Sequence, residues 1–374
     1  MQERGGNRKR SRVESLDVLR GLAVAGMIVV NNPGDWTAVF PPLQHAYWTG
    51  VTLADLVFPA FVFTMGAALP VAVARRGAAG ASYRRICLRA MLLVVLGLLL
   101  NAVSAWPHVP PLRIPGVLQR IALAYLIAGV VVLQVRPSRW LAVAAGLMIG
   151  HWALLALVPF GGHPAGTMTP ADNLARFIDT RVFGRHALAT PIDPEGLLGT
   201  LPAAATAVLG AAAGELLRVR SAGVMRTRHL AAAGAAAVAL GYVWSLFLPL
   251  SKPLWTGSFV LVTAGVTTLA LALIDFEVAV RGRRRWCQPL VWLGTNALAI
   301  YAGSEVLRRL LDAAVVQQTV GLTTPKAWLF WGVLEPAFRS WPEIGSLLFA
   351  VGVLAVWVAV ASVLASVRLK PDTT

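Results

Sequence analysis

Of the six histidines in the chain, His45 has the surroundings best suited to chemistry: a stretch from Pro33 to Gly50 that carries no Lys or Arg and gathers Trp36, Tyr47 and Trp48 around it. A neutral imidazole can take a proton from a reacting group or attack as a nucleophile. Two residues near it in the chain have side chains suited to help. Asn31, fourteen residues earlier, has an amide that can orient a ring or donate to an oxyanion. Asp55, ten residues later, has a carboxylate that can fix the imidazole tautomer. Spacing alone leaves the role of His45 open, because a single loop histidine is more often surface decoration than a catalyst. The neighbouring aromatics are explained equally well as an interfacial belt. That plain reading applies more strongly still to His108, His151, His163, His186 and His229.

Several polar residues fall inside apolar runs, where burying them is expensive and therefore informative. Arg120 lies six residues past the start of one run, roughly 9 Å along a helix. It reads as a pocket residue, with an ion pair or snorkelling as the plain alternative. Asn31 and Asn32 end the first run, Asp55 opens the second, Asn101 closes the third and Glu305 sits in the ninth. Helix caps and interhelical hydrogen bonds account for such residues too, most readily for Asn101 and Glu305. Gly21, Gly26, Gly97 and Gly294 read as close-packing positions, since none belongs to a strand-turn-helix phosphate loop.

The elements that must position these residues are membrane helices. With 57% hydrophobic residues, 13% charged ones and a mean hydropathy of +0.68, the chain cannot hide its apolar surface as a soluble globule. Ten apolar runs begin near Val18, Leu53, Ile86, Ile114, Trp140, Leu197, Leu230, Trp255, Pro289 and Ile344. The stretch from Trp328 to Phe338, interrupted by Glu335 and Pro336, is too short to span and reads as an interfacial or re-entrant segment on the outer side. Threading the runs in order puts twenty-one Lys and Arg on one side and seven on the other, so the rich side, with both termini, is expected in the cytoplasm. The net charge of +16 is thus a topology signal spread over short clusters, and no nucleic-acid partner is expected. Asp17 and Arg20 interrupt the first run, so a cleavable signal is not expected. Cys87 and Cys287 fall at cytoplasmic helix ends, where a disulfide is not expected.

The motifs themselves carry a resemblance. Ser15 to Gly21, Val30 to Gly34, His45 and Ala46 with Trp48, and Thr52 to Pro59 resemble the heparan-alpha-glucosaminide N-acetyltransferase family. Arg113 to Ile121, Asp193 to Thr200, Lys252 followed by Leu254 and Trp255, and Pro289 to Asn296 continue it over most of the chain. The resemblance implies an all-α integral membrane fold, about ten transmembrane helices in a transmembrane acyltransferase-like bundle. A basic segment over 1–16 and a tail over 369–374 would be cytoplasmic. The acyltransferase domain would cover 17–368, with outer loops at 33–50, 160–195 and 312–343. The chain begins almost at its first apolar run, as would suit a shorter prokaryotic relative without a large N-terminal luminal portion.

It further implies transfer of an acetyl group from cytoplasmic acetyl-CoA to an amino sugar or glycan on the far side of the membrane. His45 would be the general base or acetyl carrier, aided by Asn31 and Asp55. Arg120, Arg20, Asp17 and Gln119 are the expected acetyl-CoA contacts, although Gln119 cannot share the face of Arg120 on a straight helix and Asp17 with Arg20 reads nearly as well as an interhelical salt bridge. Trp48, Asn32, Glu305 and Asn296 are the expected acceptor contacts. No metal is expected. The setting would be the lipid bilayer of a bacterial cytoplasmic membrane, and a homodimer stays open. A secondary transporter or a flippase for an envelope saccharide is the alternative; it would share the midplane polar residues, but the chain has no internal repeat and its densest polar motif lies near one face.

Overall fold

The computed structural model describes residues 13–74, 79–105, 111–188, 193–313, 316–318 and 321–369. The basic cluster from Arg4 to Arg12 and the tail beyond Leu369 lie outside the described residues. The protein is a helical bundle: α1 (Glu14–Asn31), α2 (Leu53–Ala74), α3 (Ala79–Ala105), α4 (Val117–Gln134), α5 (Trp140–Leu157), α6 (Leu174–Phe183), α7 (Thr200–Val219), α8 (Val224–Trp244), α9 (Gly257–Asp275), α10 (Gln288–Thr295), α11 (Ala297–Ala313), α12 (Pro325–Leu329), α13 (Glu335–Phe338) and α14 (Pro342–Leu369). A two-stranded hairpin, Val316–Gln318 with Gly321–Thr323, is the one sheet among the described residues.

Each of the ten expected runs is helical. Among the described residues seven helices are long and apolar enough to cross a membrane, or eight if α10 and α11 count as one bent span. α1 carries Glu14, Asp17 and Arg20, and α8 carries Arg226 and Arg228, which lowers their hydropathy. The ninth run departs from a single straight helix: α10 and α11 meet at 73°. Asn296 sits in the break, its side chain donating to Trp292 O at 3.0 Å. The stretch from Trp328 to Phe338 forms short helical turns rather than a span, and it buries Phe330 against Phe349.

The bundle exposes apolar side chains on its outside and buries its membrane-depth polar groups within an otherwise apolar core. Leu92, Val95, Leu99, Leu240 and Val363 are exposed, while Asp55, Arg120, Thr206, Thr263 and Asp275 are buried. α1, α2, α4, α7 and α9 supply most of the core, with α3, α5, α10, α11 and α14 adding residues at its edge. α7 is rich in alanine and glycine, so its backbone runs against α2 without side chains between them: a Cβ at Gly66 would overlap the carbonyl oxygen of Ala207, and one at Gly210 that of Phe63. Gly21 and Gly294 allow the same approach between α1 and α10. At one end Arg226 forks onto Asp275 at 2.6 and 3.0 Å, and Ser15 donates to that carboxylate at 3.2 Å, tying α8, α9 and α1 together.

Gly210→Leu drives a branched side chain into the backbone of α2. Overpacking of this kind costs about 1–3 kcal/mol or more, so the purified variant should unfold at lower temperature than the wild type, whereas Gly146→Leu, where nothing lies within 4 Å of a Cβ, should leave the transition in place.

Candidate active site

The first long loop, between α1 and α2, is pinned from three directions. Gly50 N donates to Leu250 O at 2.8 Å, Trp48 Nε1 donates to Met168 O at 3.1 Å, and Asp35 exchanges hydrogen bonds with Ser346. Gly34 leaves the room that the Phe330 ring fills. Segments from both halves of the chain thereby fix the position of His45.

His45 Nδ1 lies 2.8 Å from Asp55 Oδ1. Asp55 is fully buried in the first turn of α2, where the partial positive charge of a helix N-terminus favours a carboxylate. Its other oxygen accepts from Ala46 N at 3.0 Å, Thr52 N at 3.2 Å and Thr52 Oγ1 at 3.1 Å. Lys252 Nζ lies 3.2 Å from Asp55 Oδ1 and 3.0 and 3.4 Å from the two ring nitrogens of His45. A carboxylate only accepts, so a proton on Nδ1 serves Asp55 and leaves Nε2 with a free lone pair. Burial pulls Lys252 below the usual lysine range, against the opposing pull of Asp55.

The backbone around Lys252 is strained to hold it there. Trp255 N closes a turn onto Lys252 O at 3.0 Å, and Trp255 has φ +53°, the left-handed region that bulky residues rarely adopt. Its buried indole locks the turn, edge-on to Phe58 and Phe259 and donating to Thr206 Oγ1 at 3.3 Å.

His45, Lys252, Asn31 and Glu195 share a cavity of about 540 Å³ whose other walls include Met27, Val57 and Phe58. A second cavity of about 280 Å³ adjoins it, sharing Asn31, Val117 and Tyr301 and adding Gln119, Glu305 and Arg113. Asn31 Nδ2 donates to Glu305 Oε1 at 3.1 Å, so the amide stands at the junction.

His45 and Asp55 are thus brought together, Asn31 shares the cavity wall with His45, and Gln119 and Glu305 line the second cavity beside them. The other expected residues stand elsewhere. Arg120 is buried behind the cavity wall, stacked over Trp255 at 5.1 Å and donating to Gly196 O at 2.9 Å, while its Nε and Nη1 have no protein partner. Asp17 and Arg20 pair with each other at 3.0 Å within α1, and Arg20 reaches the neighbouring α10 by donating to Gly294 O at 3.3 Å. Asn32 caps the end of α1 through Ile28 O at 2.7 Å, and Trp48 is spent on Met168. Asn296 serves the α10–α11 break.

Lys252, Arg113, Asp193 and Glu195 were not among the expected site residues. Arg113 bonds Asp193 at 2.5 and 3.0 Å and Glu195 at 2.6 Å, joining the segment before α4 to the one before α7. Each stands in a motif quoted above, but Lys252 is 207 residues from His45 in the chain, and no local spacing indicates such a contact.

The heparan-alpha-glucosaminide N-acetyltransferase catalytic family model matches residues 12–241. The human heparan-alpha-glucosaminide N-acetyltransferase is 29% identical over 361 residues, covering 79% of this chain and 53% of the relative. The mouse protein of the same name is 28% identical over 363 residues, with 79% and 54% covered. The chain spans about half the length of these curated relatives.

Behind Glu195 two carboxylates respond to pH in opposite directions. Burial pushes Asp179 up to about 6, with Asp193 adding to the rise and Leu197 N and Arg120 opposing it. Burial would raise Asp193 too, but the bonds and charge of Arg113 and the amides of Leu188 and Glu195 hold it below the usual range. A carboxyl raised in the folded state binds protons more tightly there than when unfolded, so Asp179 adds stability as pH falls from about 6 towards 4; the stability from Asp193 is lost only at lower pH. Asp179→Asn keeps an acceptor for Leu197 N, bonded at 2.8 Å in the wild type, and removes the unpaired charge. It should stabilise the protein at pH 8 by on the order of 1–3 kcal/mol and flatten the pH dependence of thermal unfolding between pH 4 and 6. An unchanged profile would show that Asp179 titrates normally.

Proposed function

This chain belongs to the heparan-alpha-glucosaminide N-acetyltransferase family, and from that premise we propose that it transfers an acetyl group from acetyl-CoA to an amino sugar on the extracytoplasmic side of the membrane. The reading is carried by one observation: His45 and Lys252 meet on the wall of the larger cavity, both held by Asp55 buried behind them. Acetyl-CoA supplies the activated acetyl group as a thioester. The apolar wall of Met27, Val57 and Phe58 suits its pantetheine arm and excludes water from the thioester.

In the direct route the sugar amine attacks the thioester carbonyl, the C–N bond forms and the C–S bond breaks. His45 Nε2 takes the amine proton and returns it to the departing thiolate. Asp55 holds the ring by Nδ1, 2.8 Å away, and steadies the imidazolium that forms. Lys252, 3.2 Å from Asp55, keeps that carboxylate ionised and in place. Asn31 and Lys252 are the donors available to the oxyanion. In the alternative route His45 Nε2 attacks the thioester carbonyl and the C–S bond breaks to release the CoA thiolate; the amine then attacks the acetyl-imidazole, the C–N bond forms and the imidazole leaves, its Nε2 taking up the amine proton. Arg120 acts in either case as a positioning residue, bracing Gly196 beside Glu195 and Trp255 behind Lys252.

Because acetyl-CoA is made in the cytoplasm, the donor must reach through the bundle to His45. The orientation rests on the basic residues, absent from Pro33 to Gly50 and dense at Arg75, Arg76, Arg84 and Arg85. A cysteine placed at exposed Thr37 should react with an impermeant thiol reagent in intact cells; labelling only after lysis would reverse the topology.

His45→Ala should fold and bind acetyl-CoA, because the side chain is about half exposed. Its turnover should fall by about 10²- to 10⁴-fold. Near-wild-type turnover on glucosamine, at matched yield and thermal stability, would refute the role of His45, and trapping with radiolabelled acetyl-CoA tells covalent from direct transfer.

A further inference from the structure

We infer that the smaller cavity is the acceptor subsite and takes the ring of a single hexosamine, leaving the larger cavity to the acyl-thioester arm. The inference rests on the acetyltransferase reading above and adds where each substrate sits. A guanidinium-rich pocket suggests phosphate, but the charges here are already matched. Arg113 is bonded to Asp193 and Glu195, Arg308 to Glu305 at 2.9 Å and Asp312 at 3.4 Å, and Arg309 faces Glu305 at 3.5 Å. A phosphate would have to compete with these carboxylates and bring further negative charge among them. A polyol exchanges hydrogen bonds without adding charge.

Three further features favour the sugar. Gln119 is buried and its Nε2 has no protein partner, and the same is true of Arg309 Nε. Unpaired buried donors call for acceptor oxygens such as hydroxyls. Gln119 has room to stand there because Gly97 and Gly116 carry no side chain: a Cβ on either would press on its amide. Trp36, 60% exposed, also lines this cavity and offers an apolar ring to the C–H face of a pyranose. At about 280 Å³ the volume suits one sugar ring rather than a nucleotide. Asn31 stands on the walls of both cavities, so a ring held here would direct its amine across Asn31 towards the cavity of His45.

The test uses the full chain in detergent, with glucosamine and acetyl-CoA as probes and two readouts: steady-state KM values, and thermal protection by glucosamine alone. Trp36→Ala should raise the glucosamine KM about three- to tenfold, leave the acetyl-CoA KM unchanged, and lose the protection. Trp36→Phe should recover most of both. Gln119→Leu, at a second position, should act in the same sense. If these variants instead raise the KM for acetyl-CoA but not for S-acetylpantetheine, the cavity houses the nucleotide and the inference is overturned. If the wild type is protected by glucosamine and Trp36→Ala is not, yet no acetyl transfer occurs, the subsite stands and the acetyltransferase reading falls. A wild type that glucosamine neither protects nor serves as acceptor overturns both.

Discussion

The buried carboxylate of Asp55 is the group around which the rest of this site is arranged. An ionised side chain with no exposure at the end of a membrane helix is tolerable only if its lone pairs are taken up by donors, and five groups do this: two backbone amides, the Thr52 hydroxyl, Lys252 and the His45 ring. Those donors come from the first loop and from the turn before α9. Satisfying one carboxylate therefore fixes the loop, the imidazole and the lysine together. Lys252 supplies the counter-charge and the loop supplies the amides and hydroxyl, so the carboxylate holds a surface loop, and the ring it carries, in a defined place.

The same requirement recurs through the bundle at different scales. Asp275 takes up Arg226 and Ser15 at one end, and Asp193 takes up Arg113 and the amide of Leu188 near the other. Between them α2 and α7 pack backbone to backbone through glycine and alanine, and their buried hydroxyls Thr64 and Thr206 are satisfied by carbonyls of their own helices. Without water to compete, specificity in such a core comes from shape in the middle and from paired charges at the ends. The cavities lie where this scheme is incomplete, with Gln119 Nε2 and Arg309 Nε left unpaired.

The helices were legible because hydropathy is a local property: each apolar run, from that near Val18 to that near Ile344, became helix. The 73° break at Asn296 was not, since Pro289 to Leu311 reads as one run by length and mean hydropathy and the bend is written in a single amide bonded to Trp292. The group of His45, Asp55 and Asn31 was legible for a related reason, all three lying within twenty-five residues of one another. Lys252 escaped because its partners are two hundred residues away and its position depends on the strained turn at Trp255. Arg120 shows the opposite failure. Depth along a helix predicts that a charge is buried but not which face it occupies, and its face turns to Trp255 and Gly196 instead of the cavity.

That placement of Arg120 changes what its positive charge accomplishes here. A guanidinium on the cavity wall would act on the donor directly, and Lys would partly replace it. Behind the wall its planar group instead stacks on an aromatic face while Nη2 donates to a carbonyl, a stacked geometry that a compact ammonium does not reproduce. Its contacts reach the two segments that deliver Glu195 and Lys252 to the larger cavity, one through Gly196 and one through Trp255. The geometry of the cavity wall is then set from inside the core, by a buried cation whose own partners belong to the loops it holds.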